Sequence, residues 1–259
     1  MTNKYKVDIM QRIINAFKNK AKVAYLTAGD VTNSLEYFNA LIQSGVNILE
    51  VGIPFSDPVA DGAVIQLAMK KAIDMGTTTT KVLEIVTSIR KHSDVAIILF
   101  TYLNPIIGNL EDFIVKAKNA GADGILVVDM PFEESSEFRF LCDKHGIAAI
   151  VVAAPSTPLE RIKLLADNSN GFLYYACRSG TTGVKNELPL DLVDRINEIK
   201  KYSRLPIAVG FGVSNKDMVD KILAIADGVV VGSYFVNAIA NNKSPEELGQ
   251  MADEVFNAN

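Results

Sequence analysis

Two carboxylic acids, Glu50 and Asp61, have the spacing to meet in one cavity and to share acid and base chemistry. Glu50 is the one ionisable residue in an apolar run over residues 46–53, which predicts a β-strand. Because side chains alternate along a strand, Glu50 lies on the same face as Ile48 and Gly52. A carboxylate in such a strand is unfavourable to bury unless it is solvated, paired or protonated.

Asp61 follows Glu50 by eleven residues, in a loop long enough to fold back toward the strand end. Two carboxylates in different environments can divide the acid and base roles of one reaction. From this stretch alone, a solvated or ion-paired glutamate near a strand end would fit Glu50 as well.

Three glycine-bearing segments, one after each of the last three apolar runs of the chain, could supply a phosphate site. They contain Gly183, Gly212 and the pair Gly232-Ser233, which precedes a helix-like stretch over residues 234–240. Backbone N–H groups at a helix N-terminus bind phosphate without a basic side chain. Each glycine alone would also fit an ordinary turn, but the three together favour phosphate binding.

Eight apolar runs, most of them rich in Val and Ile, alternate with helix-like segments and provide the frame for these residues. Runs of this kind are typical of parallel strands covered on both faces. They begin at Lys22, Asn47, Val95, Gly124, Ile147, Gly171, Pro206 and Gly228. The pattern predicts an α/β protein in which residues 1–259 form a single (β/α)8 TIM-barrel domain. A doubly wound open sheet is the alternative, and it is less favoured because no GxGxxG motif follows the first strand.

The spacing of the runs identifies two unusually long connections. Most runs start 22 to 29 residues apart, but 48 residues separate the second start from the third and 35 separate the sixth from the seventh. The first excess contains residues 54–62 and a helix-like stretch over residues 64–75. The second contains residues 178–187. Loops that follow barrel strands form the active-site face, so both long connections are predicted to carry function. The helix-like stretches over residues 64–75 and 234–240 predict extra helices after strands 2 and 8.

Composition excludes several broad classes of function. The net charge of −4 and the pI near 5.3 argue against a general binder of nucleic acid or of acidic membranes. No apolar run reaches the length of a membrane span. Cys142 and Cys177 form no metal or redox motif, so we expect no metal site and a reducing cytoplasm. His92 and His145 fall near helix ends, where a surface or capping role is expected.

Six segments together resemble the tryptophan synthase alpha subunit family, in order and over almost the whole chain. They are LEVGIPFSDPVADG from Leu49, YLNPI from Tyr102, ADGILVVDMPFEE from Ala122, RSGTTG from Arg178, VGFGVS from Val209 and VVGS from Val230. The resemblance implies a lyase that cleaves indole-3-glycerol phosphate to indole and glyceraldehyde 3-phosphate without a cofactor. It also implies a beta-subunit partner in an α2β2 heterotetramer, with pyridoxal phosphate (PLP) only in that partner.

The resemblance assigns roles residue by residue. Glu50 matches the glutamate that moves a proton to and from the substrate, and Asp61 matches the aspartate that accepts the indole N–H. Tyr174 matches a tyrosine near the active site, and Thr182 matches a lid threonine. Phosphate contacts are implied for Gly183, Gly212, Gly232 and Ser233. Val31 and Ala63 stand where this family usually has proline, and neither position supplies a catalytic group.

The chemistry of indole release agrees with these roles. The indole ring leaves as a neutral aromatic only when its C3 is protonated, which requires an acid near C3 and an anion near N1. An apolar wall would raise the pKa of Glu50 into a useful range, while Asp61 on its loop can stay ionised. We expect Phe100, Tyr102, Leu126 and Tyr174 in that wall, although Phe100 would fit an ordinary core equally well.

Four functions remain open from the sequence. The first is the lyase working with a beta subunit, and the second is a stand-alone lyase for the same substrate. The third is an interaction protein that has lost efficient catalysis and activates a partner. The fourth is another phosphate-binding barrel enzyme, such as a sugar-phosphate isomerase or epimerase, for which an indole pocket would have no role.

Overall fold

The computed structural model describes residues 4–177, 188–210 and 212–257, with side chains from residue 11 onward. Within this part of the chain, eight parallel strands close into a barrel in sequence order, as predicted. The strands are β1 Ala21–Thr27, β2 Ile48–Gly52, β3 Ala96–Thr101, β4 Gly124–Val127, β5 Ala148–Ala153, β6 Leu173–Ala176, β7 Ile207–Gly210 and β8 Gly228–Val231. The closed barrel excludes the open doubly wound sheet.

The helices surround the barrel, and at least one helix follows each strand, as the alternating pattern predicted. They are α1 Lys4–Lys18, α2 Ser34–Gln43, α3 Ala63–Asp74, α4 Thr79–Arg90, α5 Asn104–Ile107, α6 Leu110–Ala120, α7 Ser136–His145, α8 Leu159–Asp167, α9 Leu192–Tyr202, α10 Lys216–Ile225, α11 Ser233–Ala240 and α12 Pro245–Phe256. The extra helices predicted after strands 2 and 8 are α3 and α11. Sequence reasoning missed α5 and a 3₁₀ turn at Phe132–Glu134, because each is too short to show a helical period.

Alternation along the strands separates an inner from an outer core. Ile48 lies in the inner cluster, together with side chains from the other strands, whereas Leu49 and Val51 lie in the outer cluster under the helices. The inner cluster also includes Ile13 and Ala16 of α1, which covers the amino-terminal end of the barrel. The amino-terminal half of the barrel interior is therefore filled with apolar side chains. A site inside the barrel must lie toward the carboxyl ends of the strands.

A buried ion pair fixes the helices at the amino-terminal end. Asp123 is fully buried and accepts from Arg12 of α1 at 3.1 Å and from Arg90 of α4 at 2.8 Å. It also accepts from the backbone N–H of Ile97 on β3 at 2.8 Å. Because several donors satisfy this carboxylate, we assign it to structure, at the end of the barrel opposite the candidate site.

No helix in the described part of the chain is both long enough and apolar enough to cross a membrane. Cys142 and Cys177 are both buried, and no disulfide joins them. His145 ends α7 and lies 2.8 Å from Glu111, and His92 is exposed just after α4. These positions agree with the surface or capping roles expected for both histidines.

Candidate active site

Glu50 lies on the inner face of β2, between Tyr25 of β1 and Ile98 of β3 in the strand register. Its side chain is 1 % exposed. Burial raises the pKa of Glu50 to about 8, because no solvent is present to stabilise the carboxylate. Among the described residues, nothing donates a hydrogen bond to its Oε1 atom. Glu50 is therefore mostly protonated at pH 7 and can donate a proton into the barrel.

Asp61 lies in the loop between β2 and α3 but is only 2 % exposed. The Tyr102 hydroxyl donates to Asp61 Oδ2 at 2.7 Å and accepts from the backbone N–H of Ala60 at 3.0 Å. Burial raises the pKa of Asp61 to about 6, while the hydrogen bond from Tyr102 acts in the opposite direction. Asp61 is thus buried, although it lies on a loop, and it is still mostly ionised at pH 7.

The residues predicted for the apolar wall have distinct positions. Phe100 and Leu126 are opposite each other on the inner faces of β3 and β4. Tyr102 follows the last residue of β3, and its ring packs against Phe55 with centroids 5.1 Å apart. Tyr102 also has a polar role, because its hydroxyl donates a hydrogen bond to Asp61.

Tyr174 lies on the inner face of β6, and its ring passes over Gly210 of β7. A Cβ atom at Gly210 would lie 2.7 Å from Tyr174 Cε1, closer than real side-chain contacts allow. The negative charges of Glu50 and Asp61 both contribute to the raised pKa of the Tyr174 hydroxyl, after the larger effect of burial. Tyr174 therefore faces the same interior space as both carboxyl groups.

Two of the predicted phosphate segments lie side by side. Gly212 follows β7 with a φ of 23°, and Gly232 follows β8, which pairs with β7. Gly232 is the residue before α11, and Ser233 is the buried first residue of that helix. The N-terminus of α11 is thus located at the carboxyl end of the barrel, where its N–H groups favour an anion. Thr182 and Gly183 lie outside the described residues.

Sequence reasoning did not identify Tyr25. This residue is 3 % exposed, is opposite Glu50 in the register and has its ring 5.3 Å from that of Phe100. Alternation along β1 could have indicated it, because it places an aromatic hydroxyl on the same face as Val23. No group of three or more potential metal-ligating side chains occurs in the described residues.

Several known proteins are similar to this chain over nearly its whole length. The family model for the tryptophan synthase alpha chain matches residues 12–258. A tryptophan synthase alpha chain of Coxiella burnetii is 48% identical over 249 residues, covering 95% of this chain and 97% of that protein. One from Opitutus terrae is 42% identical over 249 residues, covering 92% and 94%.

Solved structures give the same result. The tryptophan synthase complex of Pyrococcus furiosus contains a chain that superposes with a TM-score of 0.83 and 38% identity, covering 91% of this chain and 97% of that one. A protein of Aquifex aeolicus superposes with a TM-score of 0.87 and 35% identity, covering 96% and 97%.

Proposed function

This chain belongs to the tryptophan synthase alpha chain family, a family of carbon–carbon lyases acting on indole-3-glycerol phosphate, and we propose that Glu50 and Asp61 are its catalytic residues. One observation carries the assignment. Two carboxyl groups are buried together at one end of the barrel, where burial raises the pKa of Glu50 to about 8 and that of Asp61, which accepts from Tyr102, to about 6. At neutral pH one is an acid and the other an anion, which is the combination that indole release requires.

In the proposed mechanism, Glu50 donates its proton to indole C3 while Asp61 accepts a hydrogen bond from the indole N–H. The positive charge that develops on the ring is stabilised by the Asp61 carboxylate in a site that excludes water. The bond between C3 and the side-chain carbon then breaks, and its electron pair restores the aromatic ring. The Glu50 carboxylate accepts the proton of the substrate hydroxyl as the aldehyde forms, which returns Glu50 to its starting state.

The rest of the substrate has a matching place. We assign the indole ring to the wall that includes Phe100, Leu126, Tyr102 and Tyr174. The phosphate is assigned to Gly183 and Gly212 and to Gly232 and Ser233 at the N-terminus of α11. Thr182, which comes after β6 in the sequence, is assigned to substrate binding as the lid threonine of the resemblance. This reaction requires only acid, base and charge stabilisation from the protein, so we propose that the chain uses no cofactor.

We further propose that the chain works with a beta subunit in an α2β2 heterotetramer, where PLP belongs to the beta partner. The related protein of Pyrococcus furiosus was solved as a tryptophan synthase complex. The connections that follow β2 and β3 at the active-site face also expose large apolar side chains, since Val59 is 76% exposed and Ile107, the last residue of α5, is 57% exposed. A partner that covers this face would remove them from water. A cytoplasmic location and one domain over residues 1–259 complete the proposal.

Indole release from indole-3-glycerol phosphate, with and without a beta subunit, tests this function. Glu50→Gln should lose most turnover while still binding the unreactive analogue indole-propanol phosphate, because the change removes a proton donor and little volume. Asp61→Asn should also be severely impaired. Wild-type turnover in Glu50→Gln would exclude it as the general acid, and near-normal turnover in Asp61→Asn would exclude the N–H contact.

The same assay separates the alternatives. Slow release alone that rises strongly with beta supports the partner-activated lyase, and fast release that beta leaves unchanged indicates a stand-alone enzyme. No release under either condition would leave the interaction protein or a different substrate. Failure to bind indole-propanol phosphate would favour a sugar-phosphate isomerase or epimerase.

A further inference from the structure

An aromatic side chain from one strand crosses the strand that carries Glu50. Tyr25 lies opposite Glu50 in the pairing of β1 with β2. Both side chains point inward, because they follow Val23 and Ile48 of the inner cluster by two residues. The ring of Tyr25 extends toward the carboxyl end of β2, where Gly52 is the next inner-face residue after Glu50. Tyr25 thus occupies the space directly beside Glu50 on the side that faces the mouth of the barrel.

Gly52 provides the room for this ring. A Cβ atom at Gly52 would lie 2.7 Å from Tyr25 Cζ and 2.9 Å from Tyr25 Cε2, closer than real Cβ contacts. Gly52 is not among the residues with positive φ in the described chain, so its backbone would allow an alanine. The steric requirement of the Tyr25 ring therefore accounts for the glycine at this position.

On the far side of β2, the ring meets Phe100. Phe100 is opposite Gly52 in the pairing of β2 with β3, and the two ring centroids are 5.3 Å apart at an interplanar angle of 76°. This edge-to-face arrangement is favourable for aromatic pairs. Tyr25 and Phe100 together form an arch that spans β2 one inner-face position above Glu50.

The Tyr25 hydroxyl does not supply a hydrogen bond to the glutamate. It lies 3.2 Å from Thr27 Oγ1, within the same strand. Glu50 Oε1 has no donor among the described residues. The ring thus affects Glu50 by occupying space that water would otherwise fill.

We propose that Tyr25 is a positioning residue for Glu50, because its ring, seated over Gly52 and against Phe100, closes the pocket and keeps water from the carboxyl group. The proposal rests on the catalytic role proposed above for Glu50. It gives a structural reason why Glu50 is protonated before substrate binds. The glutamate stays protonated because an aromatic arch isolates it.

The surroundings of Glu50 contain few other groups that could set its protonation. The ionisable side chains that face this space in the described chain are Tyr25 from β1, Asp61 from the loop after β2, Tyr102 from the end of β3 and Tyr174 from β6. The neighbour on β3 is the apolar Ile98. Burial is the cause of the raised pKa of Glu50, so admitting water should lower that pKa toward its ordinary value.

The experiment is an infrared titration of the Glu50 carboxyl group in the full-length protein, with the signal assigned by its loss in Glu50→Gln. In Tyr25→Ala we expect the titration midpoint to fall by about one pH unit or more. In Gly52→Ala the added methyl displaces the ring, so a fall in the same direction is expected. In Tyr25→Phe the ring remains, and the midpoint should stay within a few tenths of a unit of wild type.

A double variant and a control make the test specific. If Gly52→Ala acts only by moving the ring, Tyr25→Ala combined with Gly52→Ala should shift the midpoint no further than Tyr25→Ala alone. Gly228→Ala is the control, because its added Cβ would lie 2.8 Å from Ala21 Cβ, a comparable clash at the other end of the barrel. It should affect stability and leave the Glu50 midpoint unchanged.

Several outcomes would overturn the proposal. An unchanged midpoint in folded Tyr25→Ala would do so, as would a shift in Tyr25→Phe as large as that in Tyr25→Ala. If Tyr25→Ala does not fold, Tyr25→Leu has the same expectation, because leucine cannot reach Phe100. The titration needs no substrate, so it tests the role of Tyr25 separately from the proposed reaction. If these shifts were observed but the protein released no indole, the role of Tyr25 would stand and the proposed lyase mechanism would be wrong.

Discussion

The contact between Tyr102 and Asp61 gives the sharpest test of how this site holds one carboxyl group ionised. The Tyr102 hydroxyl donates to Asp61 Oδ2 at 2.7 Å and accepts from the N–H of Ala60 at 3.0 Å. Tyr102→Phe keeps the ring that packs against Phe55 and removes only the hydroxyl. Asp61 then loses its donor, and the N–H of Ala60 loses its acceptor.

The size of the effect follows from the hydrogen bond to a charged group. Such a bond contributes about 1.5–3 kcal/mol, and 1.36 kcal/mol corresponds to about one pKa unit. Losing the Tyr102 donor should therefore raise the pKa of Asp61 from about 6 to roughly 7–8. At pH 7 the ionised fraction falls from roughly 90% to between about 10% and 50%, so kcat/KM should fall about 2- to 10-fold.

The assay is the pH profile of kcat/KM for indole release between about pH 5 and pH 10. Wild type should lose activity below about pH 6, where Asp61 is protonated, and above about pH 8, where Glu50 loses its proton. In Tyr102→Phe the acid limb should move upward while the basic limb stays in place. The bell-shaped pH profile of kcat/KM should therefore become narrower on its acid side.

A stability control separates this effect from general loosening. Arg12→Met removes one partner of the buried Asp123 at the far end of the barrel and should destabilise folding by about 1–3 kcal/mol. Its acid limb should match that of wild type. If the acid limb of Tyr102→Phe also matches wild type, the hydroxyl is only structural and the reasoning about Asp61 is wrong.

Two further predictions concern the effect of buried Glu50 on stability and the glycines assigned to phosphate binding. Burial raises the pKa of Glu50 from 4.5 to about 8, so the folded state holds this proton more tightly, and stability should fall as the pH rises through that range. Glu50→Gln lacks this titration and should be more stable than wild type at pH 9, by up to roughly 5 kcal/mol. Urea unfolding at pH 4 and pH 9 measures this, and equal pH dependence in both proteins would contradict it. An added Cβ at Gly232 meets Tyr25 Cβ at an ordinary 3.4 Å, so Gly232→Ala should fold normally yet raise KM about tenfold. Gly212→Val should raise KM as well, and because Gly212 has a φ of 23°, the branched side chain should also destabilise this variant. An unchanged KM in either variant would exclude that glycine from phosphate binding.

The sequence was sufficient to predict the barrel because each strand carries its own signal. Apolar runs covered on both faces, joined by helical periods, predict parallel strands, and the observed strands begin within two residues of the predicted starts. The spacing of the runs also predicted α3, and the helix-like stretch after Gly232-Ser233 predicted α11. The one-turn helix α5 carries no such signal, because its four residues cannot show a period.

The environment of each carboxyl group was harder to predict, because it depends on contacts between distant parts of the chain. For Asp61 the sequence predicted only a loop residue that can stay ionised. The donor that stabilises its charge, Tyr102, is 41 residues away in the sequence. The ring of Tyr25 crosses β2 to reach Phe100, and this requires the lateral register of β1, β2 and β3. Alternation assigns a face to each residue, but closure of the barrel decides which neighbours share it.

The two carboxyl groups differ in what surrounds them, and that difference is sufficient to divide their roles. Burial acts on both in the same direction, yet only Asp61 receives a hydrogen bond from a described side chain. A donor favours the charged form, whereas desolvation alone favours the neutral form. One tyrosine hydroxyl therefore separates an anion from an acid within the same apolar barrel. The ring of Tyr25, for which Gly52 leaves room, keeps Glu50 protonated by excluding water and not by a hydrogen bond.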